Sequence, residues 1–511
     1  MTNKKILKNS VMLALGTNIS RVLGFARDML VAFYFGTSDI LEAFLVAFRL
    51  PNIFRSLLAE DAVDSVVVPV MSEHRDEAYF KVLSGRLLAF AFSLLLIVVV
   101  MGVFFAPFIV RIAAPGFAGD PQKMAITVVC VRIVFSYLLF IGLAAQMAGI
   151  LFVKGRFFVP AFAPVILNVV LIAGVWLSYR LDYNPAYILC WSVIAAGIMQ
   201  CIFHFLYCRK YIVFCSSLKE IFSDKNIITM IKLFVPRLWS VAVYHINVVV
   251  VDTLLASFSG IVGPGAIAAI YYANRFVQFP LATVGLSLSR AALPELSSVS
   301  SEDEYVRFRG TLGFALSTVL VLIIPVFFLF IFYPHVFIGI FKSGRFDNES
   351  LRTASTVLFF YSCGLIFFAV SRLFTMSFYA LKDTATPAKS ATAALAVNIV
   401  LSLMLMYPLK VGGLALASSI AALVNMTILM ADMRKRVGSF LRIVLPDVFK
   451  SVISSIVMIV ICKAVFLLSF FHNRFIVLFI LMSISALVYL SSAYVLKITF
   501  FRSMFKWPVS E

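Results

Sequence analysis

Apolar runs of about 20 residues recur along the chain from end to end, and that pattern leaves few folds open. Runs at 89–110, 227–256 and 312–332 are clear instances, each long enough to cross a ~30 Å hydrocarbon core. Inside lipid no water satisfies backbone N–H and C=O groups, so only helices and closed barrels can span. The runs lack the period-2 alternation of barrel strands, so they are helices. Composition agrees: 62% of the residues are hydrophobic, 13% are charged and the mean hydropathy is +1.03, whereas a soluble domain averages about half apolar and about a quarter charged. The expected fold is an all-α integral membrane protein of about 14 transmembrane helices. They fall roughly at 6–34, 40–70, 85–113, 124–152, 158–179, 186–208, 227–257, 265–296, 310–341, 352–380, 387–407, 412–433, 446–470 and 475–500.

The formal charge of +19 suggests nucleic acid until the positions are sorted by connection. With the N-terminus inside, cytoplasmic segments hold about 25 Lys and Arg and external segments about 8. The first set includes Lys4, Lys5, Lys8, Arg209, Lys210, Arg434, Lys435 and Arg436, and the second Arg111, Lys123, Lys342 and Arg345. This asymmetry predicts both termini in the cytoplasm and accounts for the basic balance without a nucleic-acid partner. The early lysines resemble a signal-peptide n-region, but Arg21 and Arg27 break the run that follows and no small-residue cleavage site appears, so the first helix reads as uncleaved. The seven cysteines sit mostly inside spans, and no disulfide framework is expected.

The chain also repeats itself. Asp28…Gly36, Ala47-Phe-Arg49 and Pro69-Val-Met-Ser72 match Asp252…Gly260, Ala273-Asn-Arg275 and Pro294-Glu-Leu-Ser297. The offsets are 252 − 28 = 224, 275 − 49 = 226 and 294 − 69 = 225. A weaker match pairs Lys154, Pro160 and Asn168 with Lys382, Pro387 and Asn398. Six spans separate the copies, so both lobes have the same orientation, and substrate in such parallel repeats usually binds near mid-membrane between them. The expected organisation is an N-lobe at 1–210, a C-lobe at 211–434, and an appended pair of helices with a cytoplasmic tail at 435–511.

A Lys, Arg or Asp at a helix centre costs roughly 2.5–3.5 kcal/mol on insertion scales, so such residues face a cavity or a partner. The first two spans carry Arg21, Arg27, Asp28, Glu42, Arg49, Arg55, Glu60, Asp61 and Asp64. Arg21, Gly24 and Asp28 share a helix face with Arg27 beside them, and Glu42 and Arg49 share a face of the second helix. Tyr271, Arg275 and Gln278 form one stripe in the eighth span, with Arg290 beyond Pro280. One reading is a cationic, water-filled cavity between the lobes, because Arg offers planar, bidentate donors to phosphate and carboxylate. The other is that these charges snorkel or pair internally. Asp28 and Asp252 serve equally well as partners of arginine or as ties between helices. The histidines show no metal-ligand spacing, and no Walker motif or nucleophile elbow is present, so neither an enzyme nor a cofactor is expected.

The stretches Ser20-Arg-Val-Leu-Gly-Phe-Ala-Arg-Asp28, Glu42-Ala-Phe, Ala47-Phe-Arg-Leu-Pro-Asn52, Tyr271-Tyr-Ala-Asn-Arg275, Leu293-Pro-Glu-Leu-Ser297 and Tyr379-Ala-Leu-Lys-Asp-Thr-Ala-Thr-Pro387 together resemble the MurJ (MviN) family of lipid II flippases. That resemblance implies a V-shaped, 14-helix transporter of the multidrug/oligosaccharidyl-lipid/polysaccharide superfamily in the bacterial inner membrane. It would carry the undecaprenyl-pyrophosphate-linked peptidoglycan precursor outward by alternating access. By position, the family's cavity arginines fall on Arg21, Arg27, Arg55 and Arg275 and its cavity acid on Glu42, with Arg49 and Arg290 as further substrate contacts. Asp28, Glu60, Asn274 and Asp252 would gate or tie helices, and Asp252 and Asp383 would be ligands for a coupling ion. The last two spans would hold the lipid tail. Asn274 stands where many members have an acid, Asp61 where glycine is usual and Arg290 where a small residue is common. Membrane lipids and other cell-wall synthesis or division proteins complete the implied partners.

A pyrophosphate carries about two negative charges, and an inside-negative potential favours moving each outward by ~2.3 kcal/mol per 100 mV. Membrane potential or an ion gradient is therefore the expected energy source. The competing readings are an exporter of another polyprenyl-linked oligosaccharide or of soluble drugs or cations. The latter should have a cavity led by carboxylates and aromatics instead of arginine.

Overall fold

The computed structural model describes residues 3–56, 63–73, 76–213, 220–221, 224–234, 246, 249–286, 302–468 and 473–501. Among these residues every regular element is helical. Nine helical stretches are long and apolar enough to cross a membrane: Glu77–Phe104, Pro121–Val153, Phe158–Arg180, Pro185–Tyr211, Tyr305–Phe332, Ala385–Leu409, Val411–Val437, Leu441–Val465 and Arg474–Val495. A tenth is made by Asn348–Ser362 and Leu365–Ala380, bent by 47°. The remaining predicted spans, near 6–34, 40–70, 227–257 and 265–296, are those broken by charge or proline or lying partly outside the described residues. The protein is a multi-pass, all-α membrane protein.

Contacts divide the chain into two units, Met1–Phe258 and Ser259–Glu511. In the first, α1 (Asn3–Phe35) and α2 (Asp39–Arg55) precede α3 (Glu77–Phe104), α4 (Pro121–Phe135), α5 (Tyr137–Val153), α6 (Phe158–Arg180) and α7 (Pro185–Cys208). Helix starts are written in polar residues ahead of apolar runs. Asp76 accepts from the Ala78 N–H, Asp120 from those of Gln122 and Lys123, and Asn184 from that of Ala186, satisfying donors that a first turn otherwise leaves orphaned. Pro121 and Pro185 follow two of these caps, at the position where a missing N–H costs nothing. Helix α1 lies along α6, and a Cβ at Gly16 would overlap the carbonyl of Ala161, so the approach requires glycine.

Connections that alternate along the sequence gather at alternate ends of this unit. Near the start of α3, Arg86 pairs with Asp224 at 2.6 Å and Glu220 at 3.3 Å, and Lys81 accepts the Val213 N–H. At the other end the turn before α4 meets the start of α2, and the Gly116 N–H donates to Ser257. Val213, Glu220 and Asp224 are thereby bonded to α3, and Ser257 to the α3–α4 turn.

The second unit contains α8 (Ala266–Pro280), α9 (Glu302–Phe332), the bent pair α10 (Asn348–Ser362) and α11 (Leu365–Ala380), α12 (Ala385–Leu409), α13 (Val411–Val437), α14 (Leu441–Leu468) and α15 (Arg474–Val495). Its last two helices are fastened to α9 by polar groups. Asp447 of α14 is 3% exposed and accepts from Ser317 Oγ at 2.7 Å and from the Thr499 N–H and hydroxyl at 3.2 and 3.1 Å. Tyr489 of α15 donates to the Val321 carbonyl and shares a hydrogen bond with Ser451. Interhelical hydrogen bonds of this kind substitute for the hydrophobic driving force that lipid cannot supply.

Candidate functional site

The charges of α1 are brought onto a polar seam against α6. Arg21 is exposed, whereas the side chains of Arg27 and Asp28 are 12% and 2% exposed. Arg27 donates through Nε at 3.0 Å and Nη2 at 2.8 Å to a single oxygen of Asp28, and through Nη1 at 3.0 Å to Asn168 Oδ1 on α6. Asn168 in turn donates to the Ser20 carbonyl and hydroxyl, and Gly24 covers it from α1. Of the stripe read from the sequence, Gly24 and Arg27 meet the Asn168 amide, Asp28 holds Arg27, and Arg21 stays exposed.

Helix α2 carries the next group. Asp39 and Glu42, three residues apart, point from its first turn toward Lys123. The Lys123 ammonium lies 2.6 Å from each carboxylate and 4.2 Å above the Phe117 ring. Lys123 and Glu42 are 6% and 2% exposed and Asp39 is 67% exposed. Sequence reasoning placed Lys123 among loop charges and gave Asp39 no role. The available signal was the Asp120 cap with Pro121, which sets Lys123 in the first turn of a span instead of a loop. Farther along α2, Arg49 donates to the Thr253 hydroxyl at 2.7 Å, beside Asp252, which is buried in the π-turn Val250–Leu254. Arg55 donates to Asn52 one turn back at 2.8 Å.

In the second unit the stripe on α8 is continuous. Arg275 donates to the Tyr271 hydroxyl at 2.9 Å and stacks its guanidinium 4.7 Å from that ring, while remaining exposed. Asn274 beside it is half-buried. One turn on, Gln278 and the Leu281 carbonyl accept from Arg372 of α11, both at 3.3 Å. Asp383 lies in the α11–α12 turn, where it caps α12 through the Ala385 and Thr386 N–H groups and pairs with Arg436. Burial on its own would raise its pKa, but the Thr386 and Arg436 contacts outweigh it and hold the carboxyl at about 2. Arg132 and Lys463 are exposed. Glu60, Asp61 and Arg290 lie outside the described residues.

This geometry brings Arg27, Asp28 and Asn168 into one cluster, Asp39, Glu42 and Lys123 into a second, and Tyr271 with Arg275 into a third. Against known proteins, the family model described as "Lipid II flippase MurJ" matches residues 31–486. "Probable lipid II flippase MurJ" of Buchnera aphidicola subsp. Acyrthosiphon pisum is 29% identical over 517 residues, covering 98% of this chain and 99% of that protein. "Lipid II flippase MurJ" of Burkholderia cenocepacia is 31% identical over 433 residues, 82% of each. Among solved structures, "Lipid II flippase MurJ, inward closed conformation" superposes with a TM-score of 0.80 at 27% identity, over 97% of this chain and 100% of that one. An inward-facing multidrug resistance MATE family transporter of the MOP superfamily shares the fold, with a TM-score of 0.68 at 12% identity over 84% and 99% of the two chains.

Proposed function

The chain belongs to the MurJ family of lipid II flippases, and from that premise we propose that it carries lipid II from the cytoplasmic to the outer leaflet of a bacterial inner membrane. The observation that carries this reading is the family match across residues 31–486. The geometry adds what the reading needs chemically: guanidinium groups held in defined orientations on helices of a membrane protein. In this proposal Arg27 and Arg275 each donate to the diphosphate during its passage, with Arg21, Arg49, Arg55 and Arg290 as further contacts. An arginine meets a phosphate with two parallel N–H donors, which a lysine cannot do. Transport proceeds by alternating access without catalysis, both termini lie in the cytoplasm, and the inside-negative potential favours outward movement of the anionic headgroup.

Depletion of the protein in cells is the test. Lipid II should accumulate in the cytoplasmic leaflet while its synthesis continues. Accumulation of a different polyprenyl-linked oligosaccharide, with lipid II distributed normally, would reject this substrate.

A further inference from the structure

We infer that Asn168 is the positioning residue for Arg27, aiming its guanidinium at the substrate headgroup without cancelling its charge. This rests on the reading of Arg27 as a headgroup donor. Asn168 is 6% exposed, and its amide has one possible orientation. Nδ2 donates to the Ser20 carbonyl at 2.9 Å and the Pro164 carbonyl at 3.3 Å, acceptors that a flipped carbonyl oxygen could not satisfy, and also lies 3.1 Å from the Ser20 hydroxyl. Oδ1 must then face Arg27 Nη1, which it does at 3.0 Å. The backbone of α1 two turns before Arg27 therefore dictates, through Asn168, where the guanidinium lies.

The chemistry of the acceptor matters as much as its place. Asp28 already takes Nε and Nη2, so Arg27 and Asp28 together are formally neutral. A second carboxylate at position 168 would make the cluster negative and repel a diphosphate. A neutral carbonyl holds Nη1 and leaves that balance unchanged. Contacts on different nitrogens resist rotation of the guanidinium plane, and a planar fork recognises phosphate only when its plane is set. Gly24 completes the arrangement: a Cβ there would stand 3.6 and 3.7 Å from the amide oxygen and nitrogen, so α1 closes over Asn168 at van der Waals distance. Its repeat counterpart Asn398 is also buried, but its bonds go to Ser402 and Ser418.

Lipid II binding to the purified full-length protein, followed by native mass spectrometry beside membrane abundance and thermal stability, tests the inference. Arg27→Ala should weaken binding by about ten- to a hundredfold, Asn168→Leu by about tenfold, and the double variant no more than Arg27→Ala alone. Asn168→Gln keeps an amide donor for the Ser20 and Pro164 carbonyls and an acceptor for Arg27 but displaces both by one methylene, so per folded molecule it should bind about tenfold more weakly. Binding read per folded molecule separates aim from mere support, and this variant carries the test if Asn168→Leu fails to accumulate. Wild-type affinity in Asn168→Gln, or additive losses in the double variant, overturns the inference while Arg27→Ala remains impaired. Normal binding by Arg27→Ala would instead remove the headgroup reading on which it rests.

Discussion

Replacing Lys123 with methionine keeps the length of the side chain and removes its charge, leaving Glu42 with a side chain 2% exposed and without its ammonium partner. Breaking a buried ion pair by deleting one member costs about 3–5 kcal/mol, because the remaining charge stays desolvated. The Asp39 half of the cluster is worth far less. That carboxylate is 67% exposed, and exposed pairs contribute about 0–1 kcal/mol. Asp39→Asn should therefore be nearly silent, and Lys123→Met severe. Adding Glu42→Gln to Lys123→Met removes the stranded charge and should recover most of the loss, since members of one pair are not additive. Thermal unfolding of purified protein in detergent reads all four chains. At about 1 °C per kcal/mol for a chain of 511 residues, Lys123→Met should lower the midpoint by roughly 3–5 °C. Equal stability of Lys123→Met and Asp39→Asn, or a double variant no better than Lys123→Met, would refute the assignment of the buried pair as the stronger contact.

Other parts of the fold give further expectations. Asp447→Ala strands the donors that fasten α14 and α15 to α9 and should cost about 3 kcal/mol, with Tyr489→Phe costing about 1 kcal/mol by the same unfolding measurement. Asp383 has a folded pKa of about 2, below the ordinary carboxylate range near 3.9. Its contribution is fully present above the unfolded value and is lost as pH falls through the folded one, so acid unfolding between about pH 4 and 2 should be shallower in Asp383→Asn than in wild type; an unchanged acid profile would contradict the pairing with Arg436. In a background stripped of native cysteine, Asp120→Cys and Asn348→Cys should label from outside intact cells and Ser439→Cys should not; external labelling at 439 would reverse the orientation.

How far the sequence could be read depended on the range of the interactions involved. Membrane spans are local, and long apolar runs such as 312–332 marked them within a few residues. The composition of the α1 charge stripe was visible because Arg27 and Asp28 are adjacent and a helix places Arg21, Gly24 and Asp28 on one side. The partner that orients Arg27 was not visible. Asn168 is 168 − 27 = 141 positions away, and it stood out only as a landmark of the repeat. Lys123 was hidden for a related reason: a lysine at the edge of an apolar run reads as topology by charge counting, and its partners lie 84 and 81 residues earlier. Asp447 sits in the predicted border of a span, where an interfacial acid needs no partner, and only the packing of α14 on α9 reveals the hydroxyl it accepts from.

In the proposed function Arg27 and Arg275 each donate to an anionic lipid headgroup during transport. Complementation of depleted cells by Arg27→Ala and Arg275→Ala, scored together with the amount of each variant in the membrane, tests it most directly. Losing a hydrogen bond to a charged group costs about 1.5–3 kcal/mol, or about ten- to a hundredfold in affinity, so both variants should accumulate normally and fail to support growth. Arg→Lys at either position should rescue poorly, and Arg132→Ala, at an exposed position, should grow nearly as wild type. Normal growth of both alanine variants at normal abundance would contradict the claim.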